Sequence, residues 1–174
     1  MLFRSLVPES VEESDELYLL PLRREASVKV RAGLLDVKEL VQVSEDGLEQ
    51  WRPVLKAAFP LSAEDAAATF ATLGARVPTL TRATYTLDEL VDELVGPSPH
   101  VSPVPVHKRR EHYEIGGCMA ERSEFSTDGA TIRTIAVESE DPSLVTKTVS
   151  DLGLTGRPNV NVPRGLRSLV GFGA

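Results

Sequence analysis

The 174 residues contain one cysteine, Cys118. That excludes an internal disulfide framework and any thiolate zinc cage, both of which need several converging ligands, and it fits a reducing compartment. Long apolar runs are missing too. The opening "MLFRSLVPES" offers only a few apolar residues before a proline and an acidic patch, so there is no signal-peptide core, and no later stretch approaches a membrane span. Cationic excess is absent: the formal net charge is -7, which argues against general nucleic-acid or anionic-membrane affinity because the average field repels both. Internal repeats, low-complexity tracts and a Gly-rich phosphate loop are also lacking. The expectation is a cytoplasmic protein folded as one domain over 1–174, since a chain of this length buries a single core of ordinary size.

What is present reads first as strands. "ELYLL" at 16–20, "SVKVR" at 27–31 and "LLDVKELVQV" at 34–43 are separated by turn signals, including Ala32-Gly33, and predict a meander. Asp46-Gly47 turns into a segment from Leu48 to Lys56, where Pro53 confines the strand to a sheet edge. Ser62 caps a helix closed by Gly74, and Thr86 caps a second that runs to Gly96. The proline-spaced "GPSPHVSPVPV" is extended and feeds "VHKRREHYEIGG", which turns at Gly116-Gly117 into a further strand, and "ATIRTIAVESE" follows the Asp128-Gly129 turn. Asp141-Pro142 starts a third helix, and a short one near "PRGLRSLV" ends the chain. Seven strands with helices gathered in two places, and no alternating βαβ rhythm, predict an α+β fold: an antiparallel sheet closing into a barrel with helices packed outside.

The charges on these strands are paired. Residues two apart on a strand share a face, so Lys29 joins Arg31, Asp36 joins Lys38, Lys108 joins Arg110, and Glu138 joins Glu140, while Arg109 faces the other way. An antiparallel sheet with one face in water needs no function to explain such a pattern. Lys and Arg recurring on three strands with carboxylates beside them also describe the lining of a polyanion site.

"SVKVR", "LDVKELVQ", "VHKRREHYEIGG", "AERSEF" and "IAVESED", in this order and followed by a helix ending in "LGL", resemble the triphosphate tunnel metalloenzymes, or CYTH domains. "GLEQWRPVLKAAFPL" and "VHKRR" most resemble bacterial members described as exopolyphosphatase-like. The resemblance runs from about Asp15 to Leu169 and rests on order and spacing. It implies an eight-stranded antiparallel tunnel in which inward Lys and Arg hold a triphosphate chain and inward glutamates hold Mg2+ or Mn2+. Related members are adenylate cyclases and thiamine-triphosphatases. The family's opening strand, E-x-E-x-K, is not matched in "MLFRSLVPESVEESDELYLL". The resemblance therefore implies either that an N-terminal segment carrying the eighth strand lies outside this sequence or that part of the metal site has been lost, and an open edge left by the absent strand can pair chains into a homodimer.

Taken together, Lys29, Arg31, Lys38, Arg52, Lys56, Lys108 and Arg110 are the expected phosphate contacts, since guanidinium forks and ammonium charges suit phosphate oxygens. Glu121, Glu138 and Glu140 are the expected metal ligands, Mg2+ taking one or two carboxylates beside phosphate and water. The expected activity is binding of triphosphate or polyphosphate, with metal-dependent hydrolysis if the site is complete and a non-catalytic polyanion sensor if it is not. The histidines at 107 and 112 are too isolated for an imidazole metal site, and Cys118 reads as small core filler.

Overall fold

The computed structural model describes residues 6–173. Seven strands form one antiparallel sheet: β1 (Ser10–Pro21), β2 (Ala26–Arg31), β3 (Leu34–Val43), β4 (Glu49–Ala58), β7 (Val101–Ile115), β8 (Cys118–Thr127) and β9 (Ala130–Glu138), in the order β4-β3-β2-β1-β7-β8-β9. Two short strands, β5 (Leu61–Ser62) and β6 (Thr84–Tyr85), pair separately. The α+β antiparallel architecture is as expected, but the sheet is not closed into a barrel: β4 and β9 are its edges and carry no ladder to one another.

Hairpin chemistry sets most of this order. Ala32-Gly33, Gly116-Gly117 and Asp128-Gly129 all have positive φ, the geometry of two-residue turns whose twist matches that of the strands they join. Gly116 is doubly constrained, because a Cβ there would lie 2.6 Å from the Thr148 hydroxyl. Pro53 sits in edge strand β4, opposite a register shift at Lys38. Pro103 and Pro105 lie inside β7, opposite Leu19 and Leu17 of β1. The β7–β8 ladder begins only at His107, so these prolines interrupt no second ladder.

The start of the chain departs from expectation. The strand read at 16–20 begins at Ser10 and pairs with β7 from Ser10↔His112 to Pro21↔Val101. Residues 10–15 thus lengthen the first strand and add no further one, and the sheet has seven strands among the described residues. Their acidic run resembles a solvated tail, yet its period-two partner across the ladder is the basic stretch His107–Arg110, and cross-strand pairing of opposite charge holds it in the sheet.

Four helical segments cover the sheet: α1 (Ala63–Leu73), α2 (Leu87–Glu89, continued as a π-type turn over Leu90–Val95), α3 (Pro142–Asp151) and α4 (Val162–Val170). Ser62 and Thr86 cap α1 and α2 as read, Thr86 in a reciprocal capping box with Glu89. The π-type winding is closed by Gly96 N–H donating to the Val91 carbonyl at 2.7 Å. One sheet face packs Leu19, Val28, Val30, Leu35 and Val37 against Phe70, Leu73, Tyr85, Leu90 and Leu94 of α1, α2 and their connections. The opposite face is covered at one end by α4, whose Leu166 is fully buried among Tyr18, Leu20, Val104, Val106 and Phe125. We call this the inner face. The β3–β4 turn reaches α3 and the segment after it: Thr146 donates to Asp46 at 3.4 Å and Asn159 to the Gly47 carbonyl at 3.0 Å. This segment links opposite ends of the sheet without strand pairing. No described helix is long and apolar enough to cross a membrane.

Because α4 fills the inner face through Leu166, Leu166→Ala is expected to lower stability by about 2–5 kcal/mol, the cost of an aliphatic core truncation. Arg133→Ala on edge strand β9, paired only with the exposed Glu124 side chain, should stay within about 0.5 kcal/mol. Urea unfolding of the three proteins measures both.

Candidate functional site

Register places the inner-face side chains in rows. Tyr18 lies opposite Lys29 and Glu16 opposite Arg31; Ser14 lies opposite Lys108 and Glu12 opposite Arg110; Lys108 lies opposite Phe125, Arg110 opposite Ser123 and His112 opposite Glu121. These pairs put Lys29, Arg31, Lys108 and Arg110 around one carboxylate, Glu16, whose side chain is 0% exposed. Arg110 donates to Glu16 Oε1 at 2.7 Å, the Tyr18 hydroxyl to Oε2 at 2.9 Å and Ser14 Oγ to Oε1 at 3.1 Å. Lys29 Nζ and the Arg31 guanidinium approach the same carboxylate at 3.7 and 3.8 Å. Lys108 is held beside it, its Nζ 2.6 Å from Glu121 and 4.9 Å above the centre of the Phe125 ring. Glu121 in turn accepts from the Ser123 hydroxyl.

The electrostatics of this cluster are lopsided. Burial pushes Glu16 up, but Lys29, the Tyr18 hydroxyl, Lys108 and Arg110 outweigh it, so the carboxyl titrates below its ordinary value. Glu121 behaves alike: burial is outweighed by its bonds from Lys108 and Ser123. Lys29 is held below the ordinary lysine value, first by burial and then, against the pull of Glu16, by Lys108, Arg31 and Arg110. Tyr18 is driven well up by burial and by Glu16. Four cations thus share the buried Glu16, the half-buried Glu121 and, at the rim, the exposed Glu12, 3.8 Å from Arg110, and the cations repel one another.

The remaining sequence candidates lie elsewhere to differing degrees. Lys56 shares the inner face with Asp36, next to Lys29 in register, and is exposed. Lys38 lies opposite Ser27, two residues further from Arg31 than Lys29 is. Arg52 is on the other face, because the register shift between Val37 and Lys38 sets it opposite Glu39, with which it forms an exposed ion pair. Glu138 lies opposite Met119 and therefore diagonal to Glu121 on the inner face. Glu140 lies beyond the end of β9, in the turn before α3. Among the described residues, no three His, Cys, Asp or Glu side chains are grouped to hold a metal ion.

Sequence reading missed Glu12, Ser14, Glu16 and Tyr18. Their signal was present as a run of alternate residues, Glu12-x-Ser14-x-Glu16-x-Tyr18, continuous with the strand that was recognised. Arg109 faces away from the site, as expected, and joins Arg122 and Tyr113 around a second buried carboxylate, Glu111. The bond from Arg109, with those from Tyr113 and Arg122, lowers Glu111 to about 2 despite the opposing effect of burial. Cys118 is buried against Thr148, as core filler should be. A surface cleft of about 430 Å³ lies outside this cluster, between the β1–β2 turn and α4, where Arg164 and Arg167 flank Glu25.

Glu16→Gln keeps the shape but leaves Arg110 and Lys29 buried without their counter-ion, which should cost about 3–5 kcal/mol at neutral pH. A carboxyl whose folded-state value is depressed contributes stability above its unfolded value and loses it as pH falls through the folded one. The difference between wild type and variant should therefore be full above pH 4.5 and shrink below it. Urea unfolding across acid pH measures this, and equal stability at neutral pH would remove Glu16 from the centre of the network.

No protein-family model matches the chain, and no curated protein is significantly similar to it.

Proposed function

We propose that the inner face binds the triphosphate group of inorganic triphosphate, polyphosphate, or a nucleoside or thiamine triphosphate, with hydrolysis slow or absent. The observation that supports this best is the crowding of cations: Lys29, Arg31, Lys108 and Arg110 gather around the buried Glu16, and the basicity of Lys29 is lowered first by burial and then by Lys108, Arg31 and Arg110. An anion entering this cluster relieves repulsion already present, and in a partly desolvated pocket that attraction exceeds what the same charges give in open water. A phosphate chain offers successive oxygens to guanidinium forks and ammonium groups, which suits cations spread over β1's two neighbours, β2 and β7.

The four cations would divide the work by position. Lys108 and Arg110, almost fully buried, would take the deepest phosphate. Arg31, with its side chain 44% exposed, would meet the chain nearer solvent, and Lys38 and Lys56 lie further out on the same face. Glu16 holds Arg110 and Lys29 in place while the site is free. The resemblance to triphosphate tunnel enzymes adds Mg2+ or Mn2+, for which Glu121 and Glu138 are the fitting donors as diagonal neighbours; Glu140 is not beside them. Bound there, such a cation would neutralise phosphate charge and polarise a phosphorus–oxygen bond. With Glu121 already engaged by Lys108 and Ser123, the donor set for it is thin. That is the reason for expecting a binding or sensing module over an efficient hydrolase.

Calorimetry with tripolyphosphate tests the reading. Lys108→Ala and Arg110→Ala should each weaken binding by roughly 1.5–3 kcal/mol, the range for a hydrogen bond to a charged group, whereas Arg52→Ala should leave it unchanged. Equal affinity in all four proteins would overturn the assignment. Since the ligand favours protonated Lys29, whose free-state value lies below 10.5, affinity should fall as pH rises toward that depressed value, with proton uptake on binding. Phosphate release with Mg2+ or Mn2+ should be weak or undetectable.

A further inference from the structure

Residues three and four apart on a helix share a face. On α4 that spacing divides the side chains: Pro163 and Leu166 are buried, while Arg164, Arg167 and Ser168 line the surface cleft of about 430 Å³ that the helix shares with the β1–β2 turn. Leu22, Arg23 and Glu25 supply the turn's side of the cleft, and Phe172 and Gly173 close the end beyond the helix. The volume falls within the range of small-molecule sites, about 300–1,000 Å³. Gly173 sets the shape of that end, since its φ is +83° and a Cβ there would stand 2.7 Å from Leu22 Cδ1. So close an approach of the tail to the turn favours glycine.

Three cations meet one carboxylate in this cleft, although the chain as a whole carries a formal charge of -7. Arg167 is structural: it donates to the Pro21 carbonyl at 2.7 Å and to Glu25 Oε1 at 3.0 Å, fastening α4 to the turn. Asn161 donates to Glu25 Oε2 at 3.1 Å, so both oxygens are engaged. Burial pushes the Glu25 carboxyl up, but the Asn161 bond, Arg164 and Arg167 outweigh it and hold the group ionised below its ordinary value. Two guanidiniums are left over. Arg164 reaches only the oxygen that already accepts from Arg167, at 3.4 Å, and its side chain is 45% exposed. The Arg23 side chain makes no ion pair or hydrogen bond with a described residue.

We propose that the cleft is a second binding site, for a small carboxylate carried on an apolar or aromatic body. Arg23 and Arg164 meet the carboxylate, whose planar pair of oxygens suits a guanidinium fork. Leu22 and Phe172 receive the body, which leaves water as it enters. Inorganic phosphate suits only the basic part of this lining, because Leu22 and Phe172 return nothing for the water it sheds. A neutral aromatic suits only the apolar part and leaves both guanidiniums unpaired. The cleft has no lining residue in common with the Glu16 cluster, so the site stands or falls apart from triphosphate binding on the inner face.

NMR titration of the intact chain with phenylpropionate tests this. Saturable shifts are expected at Arg23, Arg164, Ser168 and Phe172. Phenylpropanamide, which keeps the ring without the charge, and propionate, which keeps the charge without the ring, should each bind at least about 5-fold more weakly. Arg23→Ala and Arg164→Ala should each weaken phenylpropionate about 5-fold, less than a buried charge-assisted bond would give because both guanidiniums are exposed. Neither variant removes a bond that fastens α4, so both should keep the wild-type spectrum elsewhere. Excess tripolyphosphate should leave phenylpropionate in place. Absence of saturable shifts at the cleft, equal affinity for the amide, or unchanged affinity in both variants would overturn the proposal. Displacement by tripolyphosphate would overturn it as well, by assigning the cleft to inorganic anions.

Discussion

A carboxylate removed from solvent in the middle of a sheet face is costly unless every lone pair is occupied and every neighbouring charge is placed to suit it. Glu16 meets that condition through Arg110, Tyr18, Ser14 and Lys29, residues from three adjacent strands. Its partners could not be gathered by a different register. A slip of one residue would turn Glu16 into the aliphatic face that packs on α1 and expose Leu19 or Leu17 in its place. The ion cluster is thus a device for register as much as a candidate binding surface, and the two roles share the same side chains.

The two faces of the sheet solve different problems. The outer face of β1 to β3 is an aliphatic layer under α1 and α2, and it carries most of the hydrophobic stabilisation. The inner face is divided: apolar under α4, charged beyond it. Tyr18 and Phe125 stand at the division, their rings edge to face at 6.4 Å. Tyr18 offers its ring to the apolar cluster and its hydroxyl to Glu16; Phe125 offers its edge to Tyr18 and its face to the Lys108 ammonium. An aromatic residue is suited to such a border because its body is apolar while its quadrupole or hydroxyl still serves a charge. Lys108 can be 6% exposed because Glu121 and this ring together replace its water.

Much of this was legible in the sequence because hairpin turns and period-two charge are local signals. The turns at Ala32-Gly33, Gly116-Gly117 and Asp128-Gly129, the edge placement of the Pro53 strand, the caps at Ser62 and Thr86, and the shared face of Lys108 and Arg110 are all read from neighbours a few residues away. What could not be read depended on distant pairing. Glu12 to Glu16 resemble a solvated acidic run until β7 is laid beside them, and the side on which Arg52 emerges is decided by a register shift two strands from the centre. Closure of a barrel is a property of both edges at once, and the prolines and turns that shape β4 and β9 do not specify whether they meet.

The second buried carboxylate, Glu111, shows what distinguishes a structural charge cluster from a candidate site. It too is bound by two guanidiniums and a tyrosine hydroxyl, and it is the more strongly depressed of the two. Its arginines, however, are about 40% exposed and spread over an open sheet surface, where water screens them and a ligand would gain little over solvent. Around Glu16 the cations are more numerous and mostly buried, and they repel one another. Two adjacent strands, β7 and β8, therefore present opposite electrostatic problems on their two faces. Outward, carboxylate and guanidinium satisfy each other at the surface; inward, cations from two strands crowd around the buried Glu16.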